Sequence, residues 1–274
     1  MPVNERKLAQ FADTHAWQIP FDTSPRHLAG PGDARHVTHG LAAAGWSAVS
    51  DPLSAEIVLR SPDLRHRLQF DPQSATSAWW RLRAEPTDTE PGWYAEFGER
   101  VPAEVLAGFT DALIAPPPHQ HDPWQPVTSA SWHRDPDGTA HSPDSMCRIE
   151  LRPLSEFSAR PSWHVDTRQQ GYGHPDGPRI WHAYFDSSTP THLVTAFVTA
   201  LTDTAPLQRA MYEHTVHYSA VHEPSPLTPQ QVVDAHTTRL DALRAQARAA
   251  RRRQRPTTAK PPAPTSTARP AARR

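Results

Sequence analysis

The feature that most constrains this chain is that much of it is written twice. Trp93-Tyr94-Ala95-Glu96-Phe97 returns as Trp181-His182-Ala183-Tyr184-Phe185, and the residues that follow return in step. Pro102, Val105, Leu106, Phe109 and Leu113 reappear 88 positions later as Pro190, Leu193, Val194, Phe197 and Leu201. Upstream, Ser61-Pro62-Asp63 recurs as Ser142-Pro143-Asp144. Each is followed by a strand-like run, Arg67-Leu68-Gln69-Phe70 and Arg148-Ile149-Glu150-Leu151. Trp80 is echoed by Trp163, and Trp46 by Trp132. A repeat of about 80–90 residues is the size of a small domain, so the chain holds two modules of one design. Residues common to both copies mark framework. Residues that differ mark where a function can have been added.

Within each module the pattern predicts an α+β unit: an antiparallel meander covered on one face by a helix. In the first copy the strand candidates are 55–60, 65–70, 78–83 and 93–97, separated by clusters of Pro, Asp, Ser and Gly. Pro102 opens a helix to about Leu113, with Val105, Leu106, Phe109 and Leu113 on one stripe. Asp33 is placed to cap an earlier helix that Gly45 ends. The second copy has 124–131 in the place of that earlier helix, strands near 132–134, 146–151, 162–166 and 179–185, and a helix from Thr191 to Leu201. The predicted boundaries are an N-terminal arm at 1–20, modules at 21–115 and 116–206, a helical extension at 207–255 and a disordered Pro/Ala/Thr/Arg tail at 256–274. In the extension, 207–218 is read as a helix, and a second helix runs from Pro229 to about Arg253.

Alternation along the strands assigns the faces. Trp80, Trp93, Phe97, Phe109, Trp163, Trp181, Phe185 and Phe197 are predicted core. Cys147, the single cysteine, is predicted to be a small buried hydrophobe, and an intrachain disulfide is impossible. The outward positions of the second sheet bring together His164, Asp166, His182 and Tyr184, where the first copy has Arg81, Arg83, Tyr94 and Glu96. Two imidazoles and a carboxylate on neighbouring strands are the side chains a zinc site uses, so His164, Asp166 and His182 are the metal candidates. The bland alternative is the solvent side of a half-buried sheet, and it is favoured. His119-Gln120-His121 reads as linker in the same way. No catalytic residue and no cofactor are predicted: there is no nucleophile elbow, no phosphate loop and no zinc spacing on a helix.

The near-zero net charge hides a division. From Arg239 to Arg274 there are eleven Arg and Lys against Asp241 alone, leaving 17 basic and 28 acidic residues in positions 1–238. Arg244, Arg248, Arg251, Arg252, Arg253 and Arg255 are therefore candidate anion-binding residues on a basic helix. No apolar run approaches the roughly 18–20 residues that span a bilayer, and the first ten residues have no signal-peptide core. A cytoplasmic protein that does not engage membrane is the expectation.

Several motifs together resemble a known family. Ser24-Pro25-Arg26-His27-Leu28-Ala29-Gly30, Ala44-Gly45-Trp46, Ser61-Pro62-Asp63, Trp79-Trp80, and Trp93 to Phe97 leading to Gly108-Phe109-Thr110-Asp111-Ala112-Leu113 resemble the actinobacterial domain of unknown function 317. The resemblance covers about residues 21–206. It implies a Streptomyces-type cellular context and tandem architecture, but no activity, cofactor or site residue. The function expected is a two-module protein-interaction scaffold without catalysis. The alternatives are a protein that binds nucleic acid non-specifically through its basic C-terminal arm, and a metal-dependent enzyme using His164 and His182.

Overall fold

A computed structural model describes residues 5–51, 53–117, 121–153, 161–170 and 177–254. Among these residues the α-helices are α1 (Glu5–Ala16), α2 (Arg35–Ala43), α3 (Ala103–Ala112), α4 (Trp124–Ser129), α5 (Thr191–Thr202) and α6 (Pro229–Gln254). The first module supplies β2 (Ser47–Ala48), β3 (Ile57–Arg60), β4 (His66–Phe70), β5 (Ala78–Ala84) and β6 (Trp93–Gly98). The second supplies β7 (His133–Arg134), β8 (Ala140–His141), β9 (Cys147–Pro153), β10 (Pro161–Arg168) and β11 (Arg179–Phe185). Three further strands, β1 (Pro20–Ser24), β12 (Leu207–Ala210) and β13 (Val221–Pro224), form a separate small sheet in the order β12-β1-β13.

The two modules do not stack face to face. They join edge to edge into one ten-stranded antiparallel sheet, in the order β2-β3-β4-β5-β6-β11-β10-β9-β8-β7. The seam is symmetric. Glu96 pairs with its own repeat equivalent, Tyr184, flanked by Phe97 with Ala183 and Ala95 with Phe185. A local two-fold axis therefore runs through the Glu96–Tyr184 pair, the arrangement of an isologous dimer made within one chain. Joining the last strand of each module removes two sheet edges that would otherwise be open to pairing.

Below the seam the repeat motif explains itself. Phe97, Phe109, Phe185 and Phe197 are fully buried, with neighbouring ring centroids 5.2–5.5 Å apart in edge-on and tilted contacts. Each Trp-X-Ala-X-Phe strand places one ring in this cluster and each helix adds another. Burying a phenylalanine is worth about 1.5–3 kcal/mol, so the cluster is a large part of what holds the modules together. Seven of the eight predicted core aromatics are buried. Trp163 is half-buried against Trp124, with ring centroids 4.9 Å apart.

The Ser-Pro-Asp turns are duplicated atom for atom. In the first copy the Ser61 hydroxyl donates to Asp63, and Ser61 Oγ accepts from the His66 amide at 2.8 Å. In the second, Ser142 donates to Asp144 at 2.5 Å and accepts from the Cys147 amide at 2.9 Å. The residue after each aspartate, Leu64 or Ser145, takes a left-handed conformation. The aspartate satisfies the amide two residues on, so three residues close the hairpin that leads into β4 or β9. Cys147, at the start of β9, is wholly buried, and burial pushes its thiol up.

One expectation is corrected. Residues 207–218 do not form a helix: Leu207–Ala210 is a strand that pairs with β1. Leu207 and Arg209 are buried while Gln208 and Ala210 are half-exposed, a period-two pattern. The lone strand near the N-terminus offers the backbone partner, and this tertiary pairing overrides local helix preference. Arg209 then fixes the small sheet to the rest. Its guanidinium donates to Ala29 O, Gly30 O and both carboxylate oxygens of Glu104 on α3, at 2.6–3.0 Å. It lies flat on Gly32, where a Cβ would stand 2.9 Å from Cζ.

Below the seam α3 and α5 pack closely on each other. A Cβ on Gly108 of α3 would lie 2.6 Å from Ala200 Cβ and 3.2 Å from Ala196 O of α5. The seam needs that proximity. Gly108→Val is expected to destabilise the protein by about 1–3 kcal/mol through overpacking. Urea unfolding checks it, and an unchanged midpoint would contradict the tight crossing.

Candidate binding surface

The helices all belong to one side of the large sheet: α2 packs on α3, α3 on α5, α4 on α5, and α6 on α1 and α2. The other side of the sheet is polar and carries no element among the described residues. Two rows of side chains cross it at the seam end. One runs Gln69–Arg81–Glu96–Tyr184–His164–Glu150, each residue directly opposite the next. A second row in the first module runs Arg60–Arg67–Arg83–Tyr94, and its repeat equivalent in the second runs His141–Arg148–Asp166–His182.

The sequence-predicted metal candidates do lie on this face. Asp166 is opposite His182, and His164 is one row away. They do not converge. The His182 ring turns across the seam to Glu96, with Nε2 3.6 Å from Oε1. His164 makes a 2.9 Å contact between Nε2 and Ser162 Oγ, and burial with the nearby Arg152 lowers its affinity for a proton. Asp166 lies 3.8 Å from Arg179, leaving Oδ1 buried without a hydrogen bond. Among the described residues no three His, Cys, Asp or Glu side chains are grouped to hold a metal ion. Of His119-Gln120-His121, only His121 lies within the described residues, and its ring is 6.0 Å from that of His192.

Glu96 at the centre is held on both sides. Tyr94 donates to Oε2 at 2.7 Å, and with His182 it holds the carboxyl below its ordinary value against the effect of burial. Burial and the bond to Glu96 push the Tyr94 hydroxyl up to about 12, so it stays a donor. These groups are spent on one another. They fix the shape of the surface at the seam.

The basic helix is partly a clamp. Arg239 forms a two-bond pair with Asp111 of α3 at 2.6 and 2.8 Å and donates to His36 O at 2.9 Å. Arg251 donates to Ala44 O at 2.6 Å, and Arg244 pairs with Asp241 at 2.5 Å. Leu240, Leu243 and Ala247 are buried. Of the candidate anion-binding residues, Arg248, Arg252 and Arg253 are exposed without an ion pair among the described residues. Arg255 and the predicted disordered tail lie outside the described residues.

The sequence reading missed the row through Arg60 and Arg67. The signal was available in principle, because both fall on outward positions once the register of β3 against β4 is known. It also missed a cavity of about 260 Å³ between α1, α6 and the small sheet, lined by His36, Glu104, Arg209, Glu213, His236 and Arg239 among others. Its constituents come from distant parts of the chain, and only the unexpected β12 brings Arg209 there.

Both module regions match one family model. The chain carries two tandem SPDY domains. The matches cover residues 60–119 and 141–207, and the SPDY domain is a domain of unknown function (DUF317). No curated protein and no solved structure matches the chain. Each SPDY match begins near the Ser-Pro-Asp turn and runs through the last strand and helix of its module, so the seam is built wholly from matched residues. Among the described residues no helix is long and apolar enough to cross a membrane.

Beside the cavity, four histidines surround Phe11: His15 and His236 stack on its ring at 4.0 Å, with His36 and His39 at 6.0 and 6.1 Å. Burial, then Arg35, lowers His39 to about 4; burial, then His36 and His39, lowers His236 to about 2. Lys7 and Arg239 add to the positive surroundings, while Asp33 and Glu104 oppose them. The folded state thus holds His36, His39 and His236 neutral where the unfolded chain takes up protons below about pH 6.5. Stability contributed here is present above that pH and is lost as the pH falls towards 4. Melting temperatures should drop between pH 7.5 and pH 5, and less so in His236→Phe. A pH profile identical in that variant would show that the cluster carries no linkage.

Proposed function

We propose that this protein is a non-catalytic binding protein whose two SPDY domains form one recognition platform, the open face of the ten-stranded sheet. The supporting observation is the division between the two faces. The helices lie on one side, while the other side presents side chains from both modules in one continuous row across the seam, from Gln69 to Glu150. An open sheet face of that kind, with aromatic rings among charged side chains, is suited to receiving a partner rather than enclosing a small substrate. His182 turns to Glu96 and His164 to Ser162, so the two imidazoles do not converge on one point. The expected partner of the platform as a whole is another macromolecule, with a protein as the first reading.

The C-terminal helix favours a second, narrower contribution. Arg248, Arg252 and Arg253 leave a basic end on α6 that can add non-specific attraction for phosphate, while Arg239 and Arg251 hold the helix in place.

Site-specific photocrosslinking distinguishes the surfaces. A photoreactive side chain at Arg152 or Tyr184 is expected to capture the cellular partner, and one at Thr199 on the helix side is not. Capture from Thr199 alone would place recognition on the helix layer and overturn the platform.

A further inference from the structure

The two copies of the open face differ in one respect that neither packing nor seam geometry requires. At equivalent positions the second module has Arg148 opposite Asp166, whereas the first has Arg67 opposite Arg83. Arg60 then stands opposite Arg67 on the other side. Three arginines occupy directly opposed positions on three adjacent strands, about 4.8 Å apart from strand to strand. Like charges directly opposite destabilise a sheet. The second module avoids that cost: Arg148 lies 2.9 Å from Glu150, which also takes Arg152 at 2.9 Å, and Asp166 faces Arg179. In the first module Arg60, Arg67 and Arg83 are exposed, and none forms an ion pair with a carboxylate among the described residues. Where the second module has Glu150 and His164, the first has Gln69 and Arg81. Arg67, Gln69, Arg81 and Arg83 together line a recess of about 70 Å³. Arg81 is steadied by donating to Thr76 at 2.6 Å and Ser74 at 3.3 Å.

We propose that this arginine row is a phosphate-binding track for single-stranded nucleic acid. The row supplies unneutralised cations at repeating intervals, which matches a repeating anion better than the single charge of a modified side chain. Arginine forks bind phosphate oxygens in pairs of hydrogen bonds, and the recess offers an amide and three guanidinium groups to one such group. An aromatic ring closes one end of the track on the same face: Tyr94, opposite Arg83, whose Cζ lies 5.2 Å from the ring centroid. Bases of an unpaired strand can stack on such a ring without sequence preference. The row extends across four adjacent strands, β3 to β6, and an unpaired strand can follow it with its phosphates while leaving a base free to stack on Tyr94. The repulsion among the arginines is relieved when phosphates lie between them, so the destabilising row in the free protein becomes a source of affinity in the complex. The inference rests on the open face being the recognition surface and assigns to its first-module half the chemistry of what it binds.

The test is fluorescence anisotropy of a labelled oligo(dT) against the full-length protein across a salt series. It compares wild type, Arg67→Glu, Arg148→Ala in the second module, and Arg252→Ala/Arg253→Ala on α6. Wild type should bind with an affinity that falls steeply with salt. Arg67→Glu should bind roughly tenfold or more weakly with a shallower slope, since it removes one phosphate contact and sets a carboxylate between two arginines. Its melting temperature should be equal to or above that of wild type, because the same change resolves the repulsion. A misfolded variant would melt lower, so loss of binding with gained stability identifies a site. Arg148→Ala should bind as wild type does, and the α6 variant should keep most of its affinity. Equal binding by wild type and Arg67→Glu, loss confined to the α6 variant, or stronger binding to a duplex of the same length would each overturn the proposal. No oligo(dT) binding, with photocapture from Tyr184 intact, would refute the phosphate track and leave the platform standing. Failure of both would remove the platform as well.

Discussion

Everything in this molecule depends on the pairing of β6 with β11. Four main features are set by that one contact: a single sheet of ten strands, the close crossing of α3 and α5, the four-phenylalanine cluster, and the continuity of the open face. The pairing is self-complementary because each strand is the repeat of the other. A side chain that suits the seam in one copy meets its own counterpart across it. Phe97 and Phe185 serve as core residues of their own modules and as the interface between them. One end of the seam is closed by Tyr94 and Asp186 beyond the last ladder pair, the Tyr94 amide donating to the Asp186 side-chain carboxylate at 2.8 Å and the Asp186 amide to the Tyr94 carbonyl at 2.9 Å.

Duplication followed by fusion at an edge frees one half to change. The covered face cannot diverge far, since Trp93, Ala95, Phe97 and their equivalents must fill the same space beneath both halves. The open face has no such constraint. There Arg83 has become Asp166, Arg81 has become His164 and Tyr94 has become His182 in the later copy, or the reverse. One half has charges that neutralise each other. In the other half Arg60, Arg67 and Arg83 stand in a row with no carboxylate ion pair among the described residues.

Much of this was legible in the sequence because the repeat served as its own control. The longer strands of both meanders, the helices at 103–112 and 191–202, the inward-facing tryptophans and phenylalanines and the Ser-Pro-Asp turns followed from alternation, from helical spacing and from what recurred, whereas the two-residue strands β2 and β8 did not. The outward set around His164 and His182 was placed on the correct face for the same reason. What alternation does not contain is register between strands far apart in sequence. Nothing local says that Glu96 meets Tyr184, that Arg60 stands beside Arg67, or that His182 reaches Glu96 rather than a metal. The small sheet was hidden more deeply. Leu207–Ala210 is four residues long, pairs with a strand nearly 190 positions away and buries an arginine, each of which contradicts the usual signs of a strand. The role of α6 was half visible: its charge was plain in the composition, but the use of Arg239 and Arg251 as clamps depends on where Asp111 and the end of α2 lie.

If the two SPDY domains are one body, they must open together. Native-state hydrogen exchange at low denaturant concentrations reads this amide by amide. The amides of Phe97 and Phe185 at the seam, Leu68 in the first module and Val165 in the second should then exchange only through global unfolding, with one common free energy and one common denaturant dependence. A second module that opens at markedly lower free energy than the first, with the seam amides following it, would show two domains that merely touch. That result would contradict the single sheet on which the account rests.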